Sequence, residues 1–230
     1  MEKTMNKNAL NPRLKKIAEL VPKNKCTADI GTDHAYIPIV LVSQGTASRA
    51  IASDIKKGPL MRADENIRHN GLSDKIETRL GAGLKTIAAD EAEVIIIAGM
   101  GGILIADILE DSRKVTDSAK LLILQPMTAV PELREYLSDN GYEISAEYLE
   151  AEDEKLYNII VAKSGGTTQY TQKEIYLGKG LEQTSPLLFE RYKDAVLTKI
   201  NKRIEGLKKS VQSESKAELE ELVCLLRLLS

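Results

Sequence analysis

The residues best placed to do chemistry lie in positions 26–38, which read Cys-Thr-Ala-Asp-Ile-Gly-Thr-Asp-His-Ala-Tyr-Ile-Pro. A β-leaning run, 26–30, stops at Gly31. Thr32, Asp33 and His34 follow, and an apolar helical pattern then begins. A strand that ends at glycine and turns at once into a helix is how α/β folds hold nucleotide-like ligands. The pattern is Gly31-x-Asp33-x-Ala35, not G-x-G-x-x-G. In a dinucleotide site the second glycine lets backbone approach a pyrophosphate, whereas Asp33 in that place would repel two phosphate charges. A ligand with a cationic or neutral centre fits better, and S-adenosylmethionine (AdoMet), with its sulfonium and ammonium groups, is such a ligand. A strand–turn–helix without a ligand is the plainer alternative, because a glycine-rich βα turn alone is a weak signal.

Asp54 ends a second β-leaning run, 49–54. Its distance from Asp29 is close to the ~20-residue step at which βαβ units place an acid on ribose hydroxyls. A carboxylate can accept two hydrogen bonds from a vicinal diol, which explains the residue type. Gly81, Ala82 and Gly83 end a third run, 76–80, and their small side chains let backbone approach a flat ring.

The elements that must carry these residues read as an α/β fold. Asn11-Pro12 opens a helix with an apolar stripe at Leu14, Ile17, Ala18 and Val21, stopped by Pro22. Further helices are expected at 36–44, closed by Gly45, and from Pro59 to Asn70, closed by Gly71. The continuous apolar run 94–98 is a strand buried on both faces; it runs into Gly99-Met100-Gly101-Gly102 and a helix. Residues 121–124 form another buried strand, followed by Gln125-Pro126 and a helix at 131–140. Residues 142–149 and 156–162 read as an antiparallel pair across an acidic turn at 150–154. Five βα units followed by a hairpin give one doubly wound, mostly parallel Rossmann-like sheet with a terminal antiparallel hairpin. Residues 164–168 are a polar linker signal, which divides the chain into 1–166 and 167–230. In the second part Phe189, Tyr192, Val196, Ile200, Ile204, Leu207 and Val211 form one helical stripe. Leu219, Leu222, Val223, Leu226 and Leu225 form another, so a coiled-coil-like α-helical hairpin turning near Ser213 and Ser215 is expected.

No apolar run approaches the roughly 18–20 residues of a membrane span, and no signal-peptide core is present, so a cytoplasmic protein without a membrane partner is expected. Cys26 and Cys224 read as small core hydrophobes, and no metal-ligand spacing occurs. The net charge of −2 is uneven: residues 1–25 carry +5, 26–166 carry −9 and 167–230 carry +2. Such asymmetry marks either a polyanion partner or an ordinary solvated surface.

With these residues in hand, the chain resembles class I AdoMet-dependent methyltransferases. More narrowly, it resembles the bacterial TrmK family, which methylates N1 of adenine 22 in tRNA. The blocks that carry the resemblance are 29–38, 52–60, Asn66, 79–84, 98–102, 124–126 and 152–161, over nearly the whole length. One departure is Ala82, where the family more usually has an aspartate facing the adenine amino group of the cofactor. The resemblance implies that Gly31 and Asp33 border the methionine moiety and that Asp54 binds the ribose. It also implies that Gly81, Ala82 and Gly83 line the cofactor adenine, and that Ala98, Gly99, Met100 and Gly101 sit beside the transferring methyl. Asp29, His34 and Ile55 join the expected cofactor-binding set. Asn66, Gln125, Pro126, Lys155 and Tyr157 are expected to border the target base. A C-terminal coiled-coil domain, as in the family, matches 167–230. At 98–101 the chain lacks the Asn/Asp-Pro-Pro-aromatic motif of exocyclic-amine adenine methyltransferases, which argues for a ring-nitrogen acceptor.

Adenine N1 carries an in-plane lone pair and attacks a methyl without first losing a proton, and the product ring is cationic. The site therefore needs alignment and a group that tolerates developing positive charge. Asp33 is the first catalytic candidate, with His34 and Tyr36 as helpers or stacking partners. Because N1 takes part in Watson–Crick pairing, the target base must be displaced to reach a pocket. Phosphate contacts are expected from the basic first helix and from Lys199, Lys202, Arg203, Lys208 and Lys209. No metal is expected, and the expected state is a monomer or weak homodimer. The residues by themselves also leave open a small-molecule or protein methyltransferase, or a non-enzymatic interaction protein on the same fold.

Overall fold

A computed structural model describes residues 10–209 and 214–229. One sheet contains β1 (Lys25–Ile30), β2 (Ala47–Asp54), β3 (Ile76–Leu80), β4 (Val94–Gly101), β5 (Leu121–Thr128), β6 (Tyr142–Glu152) and β7 (Lys155–Ser164). The strand order is β3-β2-β1-β4-β5-β7-β6, and only β7 runs antiparallel to its neighbours. This is the expected doubly wound sheet with a terminal antiparallel hairpin. The strand order reverses between β1 and β4, and the crevice outside the C-terminal ends of such strands is where open α/β sheets hold ligands.

Helices cover both faces. On one side Ile17 of α1 (Pro12–Glu19), Ile37 and Ile39 of α2 (Tyr36–Ser43) and Ile67 of α3 (Lys57–His69) pack on Ile96 and Ile123. On the other, Ile105 and Leu109 of α4 (Gly102–Glu110) and Leu133 and Leu137 of α6 (Val130–Asp139) pack on Ile95, Ile97, Leu122 and Leu124. A short α5 (Arg113–Ser118) links α4 to β5. Because strand side chains alternate and both faces are covered, β4 must be apolar at every position from 94 to 97, as it is.

The C-terminal part contains α7 (Gln172–Leu177), α8 (Leu181–Thr184), α9 (Pro186–Lys208) and α10 (Glu214–Leu229). The two long helices pair through Ile200, Ile204, Leu225 and Leu229, and Arg203 of α9 meets Glu218 of α10 at 2.8 Å. Val211 and Ser213 lie outside the described residues, while Ser215 is in the first turn of α10. The short helices were not foreseen, although Thr171 and Glu174 form a complete capping box at the start of α7.

Several expectations are corrected. Cys224 is exposed: on α10 it falls opposite the face that carries Leu222, Leu225 and Leu229. The third helix starts at Lys57, so Pro59 stands within its first turn rather than opening it. The hairpin strands run on to Glu152 and from Lys155, leaving only Asp153 and Glu154 as the turn; Asp153 takes φ 52°. The polar stretch at 164–168 is not a free linker. Thr168 is buried, and its hydroxyl accepts a 2.7 Å hydrogen bond from the Ile144 N–H.

Beyond that stretch the C-terminal part is tied to the sheet by a polar knot. Arg134 of α6 and Glu147 of β6 form a 2.8 Å ion pair with side chains 0% and 1% exposed. Arg134 also donates to the carbonyl of Ile175 at 2.8 Å and to Asn158 Oδ1 at 3.0 Å. The other Glu147 oxygen accepts from the Tyr170 hydroxyl at 2.8 Å and the Lys179 N–H at 3.0 Å. Buried charges are tolerated when paired and fully hydrogen-bonded in this way.

Candidate functional site

A cavity of about 640 Å³ opens at the C-terminal ends of β1, β2, β3 and β4. It brings together Gly31, Asp33, Asp54, Ile55, Gly81, Ala82, Gly83, Ala98, Gly99 and Met100 from four separate sequence blocks. A volume of this size suits a nucleoside-sized ligand.

Gly31 is required by the geometry. It has φ +80°, and a Cβ there would lie 2.2 Å from Met100 Cε. Its missing side chain is the cradle that lets the end of β4 close against β1. Asp54 is nearly buried, and its Oδ1 accepts a 2.6 Å hydrogen bond from the Lys56 N–H. That bond fixes the carboxylate of a residue that lines the cavity. The loop at 81–83 is braced from behind. Arg79 donates to the Thr86 carbonyl at 2.7 Å and to Glu91, whose carboxyl is thereby lowered to about 2. Ser53 and Thr86 meet at 3.1 Å.

Asp33 stands at the rim, more than half exposed, with Arg62 of α3 2.6 Å away and His34 Nε2 3.4 Å away. The rings of His34 and Tyr36 stack at 5.0 Å with an interplanar angle of 13°. Asp33 does not cap α2. The N-cap is Ala35 in a left-handed conformation with no side-chain cap bond, so a purely capping role for Asp33 is excluded.

The remaining expected residues are not in the cavity wall. Asp29 is buried at the end of β1, and burial, reinforced by the Asp54 charge and opposed by the Thr32 hydroxyl, raises its carboxyl to about 6. Asn66 donates to the His34 carbonyl at 3.0 Å and so holds the β1–α2 turn. Gly101 packs beside Thr128. Gln125 is fully buried, and its carboxamide accepts from the Gly99 N–H at 3.1 Å and donates to the Pro126 carbonyl at 2.9 Å. Tyr157 lies under the Arg13 guanidinium, and Lys155 is exposed at the hairpin tip. Lys199 and Arg203 border a second cavity of about 500 Å³ with Met127, Tyr176 and Tyr192, whereas Lys202 lies exposed outside it.

Sequence reasoning missed Arg62, Arg13 and one face of α4. Leu104, Asp107, Ile108 and Asp111 line the main cavity. Their spacing, i, i+3, i+4 and i+7, was a readable signal for a helix face turned toward the loop at 81–83. Among the described residues no helix is long and apolar enough to cross a membrane, and no His/Cys/Asp/Glu cluster could hold a metal ion.

Comparison with known proteins agrees with this geometry. Residues 10–160 match the family model for a methyltransferase domain. The tRNA (adenine(22)-N(1))-methyltransferase of Bacillus subtilis is 42% identical over 161 residues, which span 70% of this chain and 68% of that protein. The chain belongs to the TrmK family of tRNA methyltransferases. The crystal structure of B. subtilis TrmK superposes with a TM-score of 0.88 at 33% identity, covering 97% of this chain and 99% of that one. A Streptococcus pneumoniae structure in complex with S-adenosyl-L-methionine has a TM-score of 0.79 at 33% identity, covering 96% and 99%. The TrmK fold thus extends over the C-terminal helices as well as the sheet.

Proposed function

We propose that this protein transfers the methyl group of AdoMet to N1 of adenine 22 in tRNA. The observation that carries this reading is the glycine-walled cavity at the sheet's switch point, lined by both Asp33 and Asp54, in a chain of the TrmK family. The residues fit AdoMet: the Gly31 cradle admits backbone-close packing, and Asp54 presents an oxygen suited to a ribose diol. Gly81, Ala82, Gly83 and Ile55 would line the adenine ring. Bound AdoMet supplies an electrophilic methyl group on a positively charged sulfur.

The chain's own residues then align the acceptor. Asp33 holds negative charge at the rim, where positive charge passes toward the adenine ring, and Arg62 fixes its orientation. The stacked His34–Tyr36 pair offers an aromatic ledge for a displaced base. Ala98, Gly99 and Met100 set the floor on which N1 and the methyl carbon meet. Lys199, Lys202 and Arg203 supply phosphate contacts from the C-terminal helices, so that 1–166 acts as the catalytic part and 167–230 as the tRNA handle. A cytoplasmic location and a monomeric or weakly dimeric state accompany this reading.

Mass spectrometry of nucleosides from tRNA treated with the protein and AdoMet tests it. Appearance of 1-methyladenosine is the expected result. Methylation only at another nucleoside position, or none at all, would overturn it.

A further inference from the structure

The basic first helix was expected to supply phosphate contacts, yet Arg13 points inward. It crosses beneath the end of the hairpin and donates from Nη1 to Gln125 Oε1 at 2.5 Å. The same oxygen accepts the Gly99 N–H at 3.1 Å. That amide needs such a partner. The register of β4 against β5 shifts between Ala98 and Met100, so Gly99 sits at an irregularity in the ladder with φ +79°. A strand bulge leaves one residue outside the regular pairing, and here a buried side chain replaces the missing strand acceptor. Gln125 is fixed in turn: its Nε2 donates to the Pro126 carbonyl, so its oxygen can face only Gly99 and Arg13.

Arg13 is held from three sides. Its guanidinium lies 5.2 Å from the Tyr157 ring centroid, and its Nε is 4.0 Å from Glu152 Oε2. Both of these polar atoms are buried with no hydrogen-bond partner, so they meet as an ion pair only. Glu152 is steadied through its other oxygen by Asn11, the cap of α1. Nη1 lies 3.9 Å from where a Gly99 Cβ would stand. The first helix and the β6–β7 hairpin therefore converge on one backbone amide of the cavity floor.

We infer that Arg13 is a positioning residue for methyl transfer: through Gln125 it sets the Gly99–Met100 backbone against which the methyl carbon and its acceptor are aligned. This rests on the proposed function for what the floor aligns, but the relay itself is a property of the fold. A guanidinium is suited to the task because its planar fork is pre-oriented, which a lysine ammonium cannot reproduce. The charge is balanced by Glu152, so the relay adds no net cation beside a cationic product.

The test measures single-turnover methylation at saturating AdoMet and tRNA, AdoMet and tRNA affinity, and amide hydrogen exchange. Arg13→Ala is expected to lower the single-turnover rate at least tenfold while both affinities stay within about threefold, with Arg13→Lys recovering only part of the loss. In a Gln125→Ala background the same substitution should change the rate less than twofold, because Arg13 acts through Gln125. Exchange at Gly99 should rise at least tenfold in Arg13→Ala, with β1 and β2 unchanged. That readout needs no tRNA, so it holds or fails even if the wild-type protein methylates no adenine. A wild-type exchange rate at Gly99 in Arg13→Ala would overturn the relay, as would additive losses in the double variant. A loss confined to tRNA affinity with a smaller salt slope, fully restored by Arg13→Lys, would instead make Arg13 a phosphate contact and overturn the proposal.

Discussion

Arg134–Glu147 and Arg62–Asp33 are both arginine–carboxylate pairs, 2.8 and 2.6 Å long, in opposite surroundings. The first is sealed between the sheet and the C-terminal helices, and both Glu147 oxygens accept bonds from the protein. The second stands at the cavity rim with both side chains at least half exposed. Identical chemistry thus serves two ends. Where every polar group is already satisfied, the pair specifies how two parts of the fold meet. Where the pair faces an open cavity, its charge is available to a ligand. The exposed pair contributes little to stability on its own, because solvent screens it.

The comparison can be broken most severely at the buried pair. Arg134→Ala leaves the Glu147 carboxylate buried without its cation, and a loss of about 3–5 kcal/mol in unfolding free energy is expected. Denaturant titration of the apo protein would show it; a loss below ~1 kcal/mol would mean the knot is not the seam that joins the C-terminal helices. Asp29 sharpens the contrast, being a buried carboxylate with no arginine. Its folded-state value of about 6 lies above the ordinary 3.8, so the folded protein binds a proton that the unfolded chain has released between those values. The resulting stabilisation is present below about pH 4 and is lost as pH rises through 6. Asp29→Asn should therefore be more stable than wild type at pH 7, by up to about 3 kcal/mol, with the difference vanishing near pH 4. A constant difference at both pH values would show that burial does not strain this carboxylate.

At the rim, Asp33→Asn removes the charge and releases Arg62 beside a cationic cofactor. Single-turnover methylation should fall by about a hundredfold or more, because a preorganised charge acting on the transition state is worth on the order of 3 kcal/mol. The unfolding free energy should change by less than about 1 kcal/mol. A rate within about threefold of wild type would remove Asp33 from the catalytic residues.

Much of this contrast was legible in the chain. Gly31, Asp54, the glycines at 81–83 and the run into Gly99 mark strand ends, and strand ends in a doubly wound sheet converge on one crevice. Local patterns could not show which side chains reach across the sheet. Arg13 and Gln125 are 112 positions apart, and a basic residue beside an apolar stripe reads as solvated until the hairpin that covers it is in place. The same limit hid the Arg134 knot, since an arginine in a helix pattern gives no sign of a buried glutamate on a later strand. Cys224 misled for a different reason: neighbouring leucines made its whole helix look apolar, and only the packing of α9 decided which face is covered.

The most direct test of the cavity's assignment is the AdoMet affinity of Asp54→Asn by calorimetry. Asparagine keeps the acceptor for the Lys56 N–H and the shape of the turn, and removes only the charge offered to a ribose diol. Hydrogen bonds to charged groups are worth roughly 1 kcal/mol more than neutral ones, so affinity should fall about fivefold while the apo protein melts as wild type does. Unchanged AdoMet affinity would place Asp54 outside the cofactor site and contradict the reading of the cavity.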